Sequence, residues 1–235
     1  SDKGYAGLVI KIETEGLEIK DTKVIVDAGV SLSSVIGEVA ENGLSGFEWA
    51  AGIPGTTGGA VFGNAGAFGK EIKDIAKTVT VLEILNLKFK TINFESKDCQ
   101  FSYRNSLFKK NKKYIIIKTE LKLQKGDKEK IKQKIKENIL YRNRHHPFEF
   151  PSAGSIFKNP TLDAKASELI KKFPDFEKFL SKGEIPAAYL IDKCELKGKK
   201  IGGAEVSSKH SNFIVNNGDE RAEDVIILIS LIKQK

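Results

Sequence analysis

A chain of 235 residues with 40% hydrophobic and 30% charged side chains has the profile of a soluble globular protein of one large or two small domains, and no apolar run reaches the roughly 18 residues of a membrane span. Two cysteines, Cys99 and Cys194, exclude a disulfide scaffold and point to a reducing compartment, and the opening SDKGYAGLVI carries no basic and apolar leader. The net charge of +8 is supplied by lysine; Arg104, Arg142, Arg144 and Arg221 are the only arginines, which argues against nucleic-acid recognition and marks each of the four for work that lysine cannot do.

Leu8, Ile10 and Ile12 alternate and predict a first strand. A turn is expected at Glu15-Gly16, and Val24, Ile25 and Val26 predict a second strand before Asp27-Ala28-Gly29. Apolar positions 32, 35, 36, 39 and 40, with serine ahead and Asn42-Gly43 behind, predict a capped helix over 31–42. Residues 43–69 hold nine of the 21 glycines. Trp49, Ile53, Val61, Phe62 and Phe68 are interleaved among them, so neither a collagen period nor a disordered linker fits. Strand-like runs at 77–85 and 88–95 precede the turn-rich CQFSYRNSLFKK at 99–110, and 114–123 predicts a further strand. Ile131, Ile135 and Ile139 recur at i+4 with lysines opposite and predict a helix over 127–144, with the domain boundary at Gly126. Beyond it the sequence predicts a loop (145–155), a short strand near 156, helices around 164–172, 175–181 and 187–194, a strand at 204–215 and a final helix from Asp219. Antiparallel-looking strands and separate helices without a βαβ series read as α+β. With no methionine, and no glycine or proline stop after the last helix, the chain reads as a fragment.

Three segments offer chemistry. Gly52-Ile53-Pro54-Gly55-Thr56-Thr57-Gly58-Gly59, continued by Asn64 and Gly66, lets a backbone approach a flat ring or a diphosphate, and its successive N–H groups and helix start suggest an anion cradle. It is neither a Walker A loop nor GxGxxG, and tight packing in an ordinary core is the competing explanation. Arg104, between Phe101, Tyr103 and Phe108, is pre-oriented to grip a carboxylate or else forms a surface salt bridge. In Pro151-Ser152-Ala153-Gly154-Ser155-Ile156-Phe157-Lys158-Asn159-Pro160 no nucleophile elbow is present, so Ser155 would donate a proton rather than attack, or would simply cap a turn. His145, His146 and His210 with two distant cysteines make no metal set, and no metal is expected.

The four segments AGIPGTTGGAVFGNAGAFGKEI (51–72), CQFSYRNSLFK (99–109), FPSAGSIFKNP (150–160) and AAYLIDKCELKGKKIGGAEVSSKHSNFIVN (187–216) resemble, in order and spacing, the UDP-N-acetylenolpyruvoylglucosamine reductase family, in its shorter subtype. The resemblance implies a partial FAD-binding domain of the PCMH/vanillyl-alcohol-oxidase type over 1–125, its first subdomain absent, and a smaller α+β substrate-binding domain over 126–235. It further implies a cytoplasmic enzyme of peptidoglycan synthesis that reduces UDP-N-acetylglucosamine enolpyruvate to UDP-N-acetylmuramate. NADPH would reduce the flavin, hydride would pass from flavin N5 to C3, and a serine would protonate C2. The family's Gly-Ser-x-Phe-Lys-Asn-Pro serine falls on Ser155 and its Tyr-Arg-x-Ser arginine on Arg104. Arg104 can stabilise the enolate-like carboxylate and Ser155 can supply the proton. Tyr103 joins Arg104 at the substrate, Lys158 and Asn159 would meet its nucleotide, Lys197 its phosphates, and the glycine segment would lie against FAD. A monomer is expected, with no membrane or nucleic-acid partner.

The family's upstream Gly-x-Gly-Ser-Asn loop would precede Ser1, its catalytic glutamate would come after Lys235, and His145 stands where lysine is common. The alternatives are a non-catalytic fragment that binds a UDP-sugar or nucleic acid, and a different PCMH-type flavin oxidoreductase.

Overall fold

A computed structural model describes residues 2–86, 88–162, 170–218 and 221–235. The chain divides into two compact units, one spanning Leu8–Arg142 and the other Asn143–Lys235 together with the stretch ending at Gly7.

The first unit is built on a five-stranded antiparallel sheet. Its strands are β1 (Leu17–Lys20), β2 (Lys23–Asp27), β3 (Ala76–Leu85), β4 (Lys88–Glu95) and β5 (Tyr114–Lys122), in the order β1-β2-β5-β3-β4. Alternation sets the face: Val24, Val26, Val79, Val81 and Leu121 are sealed from solvent, whereas β4 at the edge keeps its lysines exposed. The stretch Leu8–Ile10 forms no strand. These side chains are exposed, and the hairpin begins only at Leu17, turning at Asp21-Thr22 with Asp21 at φ 53°. Alternation without a partner for the backbone does not make a strand.

Helix α1 (Leu32–Glu41) matches its expected span. Ser31 accepts the Ser34 N–H as N-cap, and Leu32, Val35, Ile36, Val39 and Ala40 face the core. Phe47, Leu44 and Trp49 complete that layer; the Trp49 indole donates to the Gly46 carbonyl at 3.1 Å and meets Phe47 edge-on.

The glycine segment folds as a loop leading into a short helix α2 (Thr57–Phe62), then a tight hairpin pairing Gly66 with Glu71. Helix α3 (Lys128–His145) packs on this first unit through Ile131, Asn138 and Arg142. The compact unit therefore runs on to Arg142, past Gly126. Ile139 and Leu140, expected on the apolar stripe, are exposed, while Asn138 and Arg142 are buried because they cap backbone carbonyls of the segment beneath.

The second unit holds a four-stranded antiparallel sheet, β6 (Ser152–Ser155), β7 (Lys200–Ile201), β8 (Ala204–Val206) and β9 (Phe213–Asn216), in the order β6-β9-β8-β7. The single strand expected over 204–215 is thus two strands. Ser207 accepts the N–H groups of Lys209 and His210 and turns the chain between them. Helices α4 (Ala187–Lys193) and α5 (Ala222–Gln234) cover the sheet, with Ile191 and Leu228 buried beside Ala204, Val206 and Ile214. A smaller cluster of Phe176, Phe179 and Ile185 sits around a 3₁₀ stretch, Pro174–Lys182. The helix expected over 164–172 lies largely outside the described residues, as does the start at Asp219. Half-buried Cys194 caps α4, whereas Cys99 in the first unit is sealed and its thiol is pushed up to about 12 by burial. No helix among the described residues is long and apolar enough to cross a membrane.

Candidate functional site

The start of α2 does not offer the anion cradle that the sequence suggests there. The first amides of α2 are consumed internally: Thr57 donates to the Val30 carbonyl (2.8 Å), Gly58 to Ala28 (2.9 Å) and Gly59 to the Thr56 hydroxyl (3.3 Å). A helix start whose N–H groups are all bonded has none to present to a phosphate.

What remains is a surface of small residues. Gly52, Pro54, Gly55 and Gly59 are exposed, Ile53 and Thr56 half-buried, and Thr57, Gly58 and Asn64 buried. Four of the glycines have different reasons for lacking a side chain. Gly52, at φ 79°, would drive a Cβ to 2.8 Å from Arg142 Cδ. Gly58 would meet the Ala28 methyl at 2.7 Å. Gly55 stands at φ 123°, a conformation reserved for glycine, with open space around it. Gly59 is the informative one. Its backbone is ordinarily helical, and a Cβ would touch only the Thr56 hydroxyl at 3.6 Å. Neither strain nor internal packing requires glycine there, and glycine costs a helix about 1 kcal/mol relative to alanine.

Asn64, expected at the cofactor, is a fully used internal link. Its Nδ2 donates to Glu71 Oε2 and to the Ser102 carbonyl, both at 3.0 Å, and its Oδ1 accepts the Lys73 N–H. Thr57 is likewise spent, its hydroxyl donating to Val30. These two residues, with Gly58, shape the segment from behind and offer no side-chain contact to a ligand.

Arg104 occupies a tight turn closed by reciprocal hydrogen bonds between Ser102 and Asn105. Its φ of 54° is left-handed, a strained state for a residue with a side chain. The guanidinium lies over the Tyr103 ring at 5.0 Å, Nη2 donates to the Gly66 carbonyl at 2.5 Å, and Nη1 stands 3.7 Å from Glu71. About a third of the side chain (36%) stays open to solvent, so the cation is held and still presentable. Gly66 is itself explained from within: a Cβ there would lie 2.8 Å from Glu71 Cγ and 3.0 Å from Arg104 Nη1. Ser106 is a buried brace, donating to the Phe62 carbonyl at 2.7 Å.

Two residues to which the sequence reading gives no role shape this site: Glu71, within the 51–72 segment, and Arg142, outside all four segments. Glu71 pairs with both Arg104 and Lys73, and this contact holds the Lys73 ammonium above its ordinary value. Arg142 donates from Nε to the Ala51 carbonyl (2.8 Å) and from Nη2 to Trp49 (3.3 Å), and lies over Phe68. Its scarcity as one of four arginines is the only hint.

Ser155, Lys158, Asn159 and Lys197 all belong to the second unit, whereas Tyr103, Arg104 and the glycine segment belong to the first. Exposed Ser155 ends β6 opposite Phe213, one residue after Gly154 at φ 80°. Asn212 fixes the next two residues: its carbonyl accepts the Ile156 N–H, and its side chain clasps both peptide groups of Phe157 at 2.9 Å. Asn159 is turned to the protein, donating to Glu184 and accepting the Ala187 N–H at the start of α4. Lys197 pairs with Asp192 at 3.1 Å, and Lys158 is exposed. Lys158 also lines a cavity of about 840 Å³ with Phe157, Leu162, Phe176, Leu190 and Ile191, a mainly apolar hollow with lysines among its walls.

Residues 146–235 match the family model described as UDP-N-acetylenolpyruvoylglucosamine reductase, C-terminal domain, and residues 1–90 match one described as FAD binding domain. A UDP-N-acetylenolpyruvoylglucosamine reductase of Caldanaerobacter subterraneus is 37% identical over 235 residues, covering all of this chain and 69% of that protein. One from Carboxydothermus hydrogenoformans is 41% identical over 236 residues, covering 99% and 69%. The crystal structure of the reductase from Thermus caldophilus aligns with a TM-score of 0.72 at 33% identity, over 92% of this chain and 70% of that one.

Proposed function

Since the chain belongs to the UDP-N-acetylenolpyruvoylglucosamine reductase family of FAD-binding oxidoreductases, we propose that it carries the reacting groups for reducing the enol ether of UDP-N-acetylglucosamine enolpyruvate, in the cytoplasm. One observation carries the reading. The cation suited to a substrate carboxylate, Arg104, is hydrogen-bonded to Gly66, at the end of the segment whose exposed glycines would face the cofactor.

Gly55 and Gly59 fit a flat ring because they are exposed and carry no Cβ to stand between it and the backbone. The chemistry that FAD brings when bound is hydride delivery to C3 of the enol ether, after reduction by NADPH. Arg104 holds the substrate carboxylate and stabilises the negative charge that develops on it. The Tyr103 ring and the Gly66 carbonyl keep the guanidinium in one orientation, so little reorganisation accompanies the reaction. Ser155 gives its hydroxyl proton to C2, from a strand end stiffened by the Asn212 clasp. Lys158 and Lys197 meet the nucleotide diphosphate. Asn159 acts on that site indirectly, by setting the start of α4.

The test compares parent and Ser155→Ala with FAD, NADPH and the enolpyruvyl sugar nucleotide. The expected result is a loss of turnover by about 10²–10⁴ with NADPH still bleaching the flavin absorbance. Equal turnover in the two removes Ser155 from the reaction, and a protein that stays colourless after incubation with FAD removes the cofactor assignment.

A further inference from the structure

Arg104 is a long side chain on a strained backbone, and something must keep its guanidinium in place between turnovers. Its nearest anion is Glu71. That carboxylate is only 17% exposed and is restrained from several sides. Oε1 faces Arg104 Nη1 at 3.7 Å; Oε2 accepts Asn64 Nδ2 at 3.0 Å and pairs with Lys73 Nζ at 2.8 Å. The Glu71 backbone is pinned as well, its N–H donating to the Asp74 carboxylate at 2.8 Å and its partner across the hairpin being Gly66. Gly66 thus holds Arg104 from the carbonyl side, while its missing Cβ leaves room for the carboxylate to close from the other.

We propose that Glu71 is the positioning residue for Arg104, setting the direction in which the guanidinium faces a substrate carboxylate. This rests on the role assigned to Arg104 above. Two cations, Arg104 and Lys73, share the Glu71 carboxylate, and about a third of the Arg104 side chain stays open to solvent, so Glu71 orients the arginine without covering it from an incoming anion. Fixing the side chain beforehand also removes rotamer entropy that would otherwise be lost at each binding event. An amide at 71 would retain one acceptor but turn N–H groups toward a cation, breaking either the Arg104 or the Lys73 contact.

The experiment uses the full chain loaded with FAD and three variants: Glu71→Gln, Glu71→Asp and Lys73→Met. Glu71→Gln is expected to lower kcat for the enolpyruvyl substrate about 10- to 100-fold, the effect of a misplaced binding group, with flavin reduction by NADPH and the KM for NADPH unchanged. Glu71→Asp, which keeps the charge, falls between parent and Glu71→Gln. Lys73→Met leaves kcat within about twofold, since the Lys73 side chain is nearly half exposed and its pairing with Glu71 is screened by solvent. A Glu71→Gln protein turning over like the parent, or a Lys73→Met protein falling as far as it, overturns the proposal. Nitrogen-15 relaxation of the Arg104 Nε–H group reads the same point without turnover: disorder on Glu71→Gln supports it, and unchanged order refutes it. If the parent itself fails to reduce the substrate, the proposed function falls, and the relaxation measurement still decides the role of Glu71.

Discussion

Gly58 and Gly59 are neighbours with opposite reasons for lacking a side chain, and two substitutions separate them. Gly58→Ala forces a methyl to within 2.7 Å of Ala28 and is expected to destabilise the protein by about 1–3 kcal/mol in urea titration, as overpacking does. Gly59→Ala meets open space, so it is expected to stabilise the fold by about 0.5–1 kcal/mol while weakening FAD binding, read by flavin fluorescence quenching. A Gly59→Ala protein that binds FAD like the parent would show that no ring approaches α2 there. The motif in the sequence could not distinguish these two glycines, because the distinction lies in Ala28, far upstream and brought alongside only by the sheet. The local surroundings of Arg104 and Ser155 left a salt bridge and a turn cap open, and the roles proposed for them come from the resemblance. Glu71 gains its significance from Arg104 and Asn64, partners that no local periodicity connects to it.

Helix α3 shows how an element can be placed correctly and faced wrongly. Isoleucines at i+4 predict its span, yet its deepest contacts are polar, with Asn138 donating to the Glu48 carbonyl and Arg142 to Ala51. Hydrophobic periodicity cannot foresee a carbonyl in need of a donor. Arg142→Lys is expected to cost about 1–3 kcal/mol, because a lysine cannot serve both carbonyls in a fixed fork while covering Phe68. An unchanged midpoint in chemical denaturation would contradict this. The start of α3 is tied to the end of α1 through Glu41, which takes Lys128 and Lys132, each at 2.6 Å; hydrogen bonds from the two ammonium groups lower its carboxyl from 4.5 to about 2. The native value lies below the unfolded one, so the contribution is present above pH 4.5 and fades as pH falls toward 2. Glu41→Gln is expected to flatten the stability–pH curve in that window, and the difference from the parent shrinks in high salt because the group is exposed. Strand prediction failed at Leu8–Ile12 and over 204–215 for related reasons: alternation marks a face but supplies neither a partner strand nor the Ser207 turn.

The two units have cores of different character. The first has a continuous apolar layer between its sheet and helices, whereas the second divides its buried side chains between two smaller clusters. Cooperative stability scales with buried apolar area, so the second unit is expected to open first. Native-state hydrogen exchange checks this: the ladder amides of Val206 and Ile214 should exchange before those of Val79 and Leu121. Simultaneous exchange would mean one cooperative block. The α+β class was legible from the spacing of strands and helices. The division of the chain was not, because the contacts that assign α3 are carbonyl caps rather than a change in composition.

The sole tryptophan, Trp49, is buried in the first unit, and the only cysteine not fully sealed, Cys194, lies in the second. Each half therefore carries its own optical reporter without any engineering. Indole emission tracks the melting of one half, and a maleimide dye on the accessible sulfur tracks the other in the same cuvette.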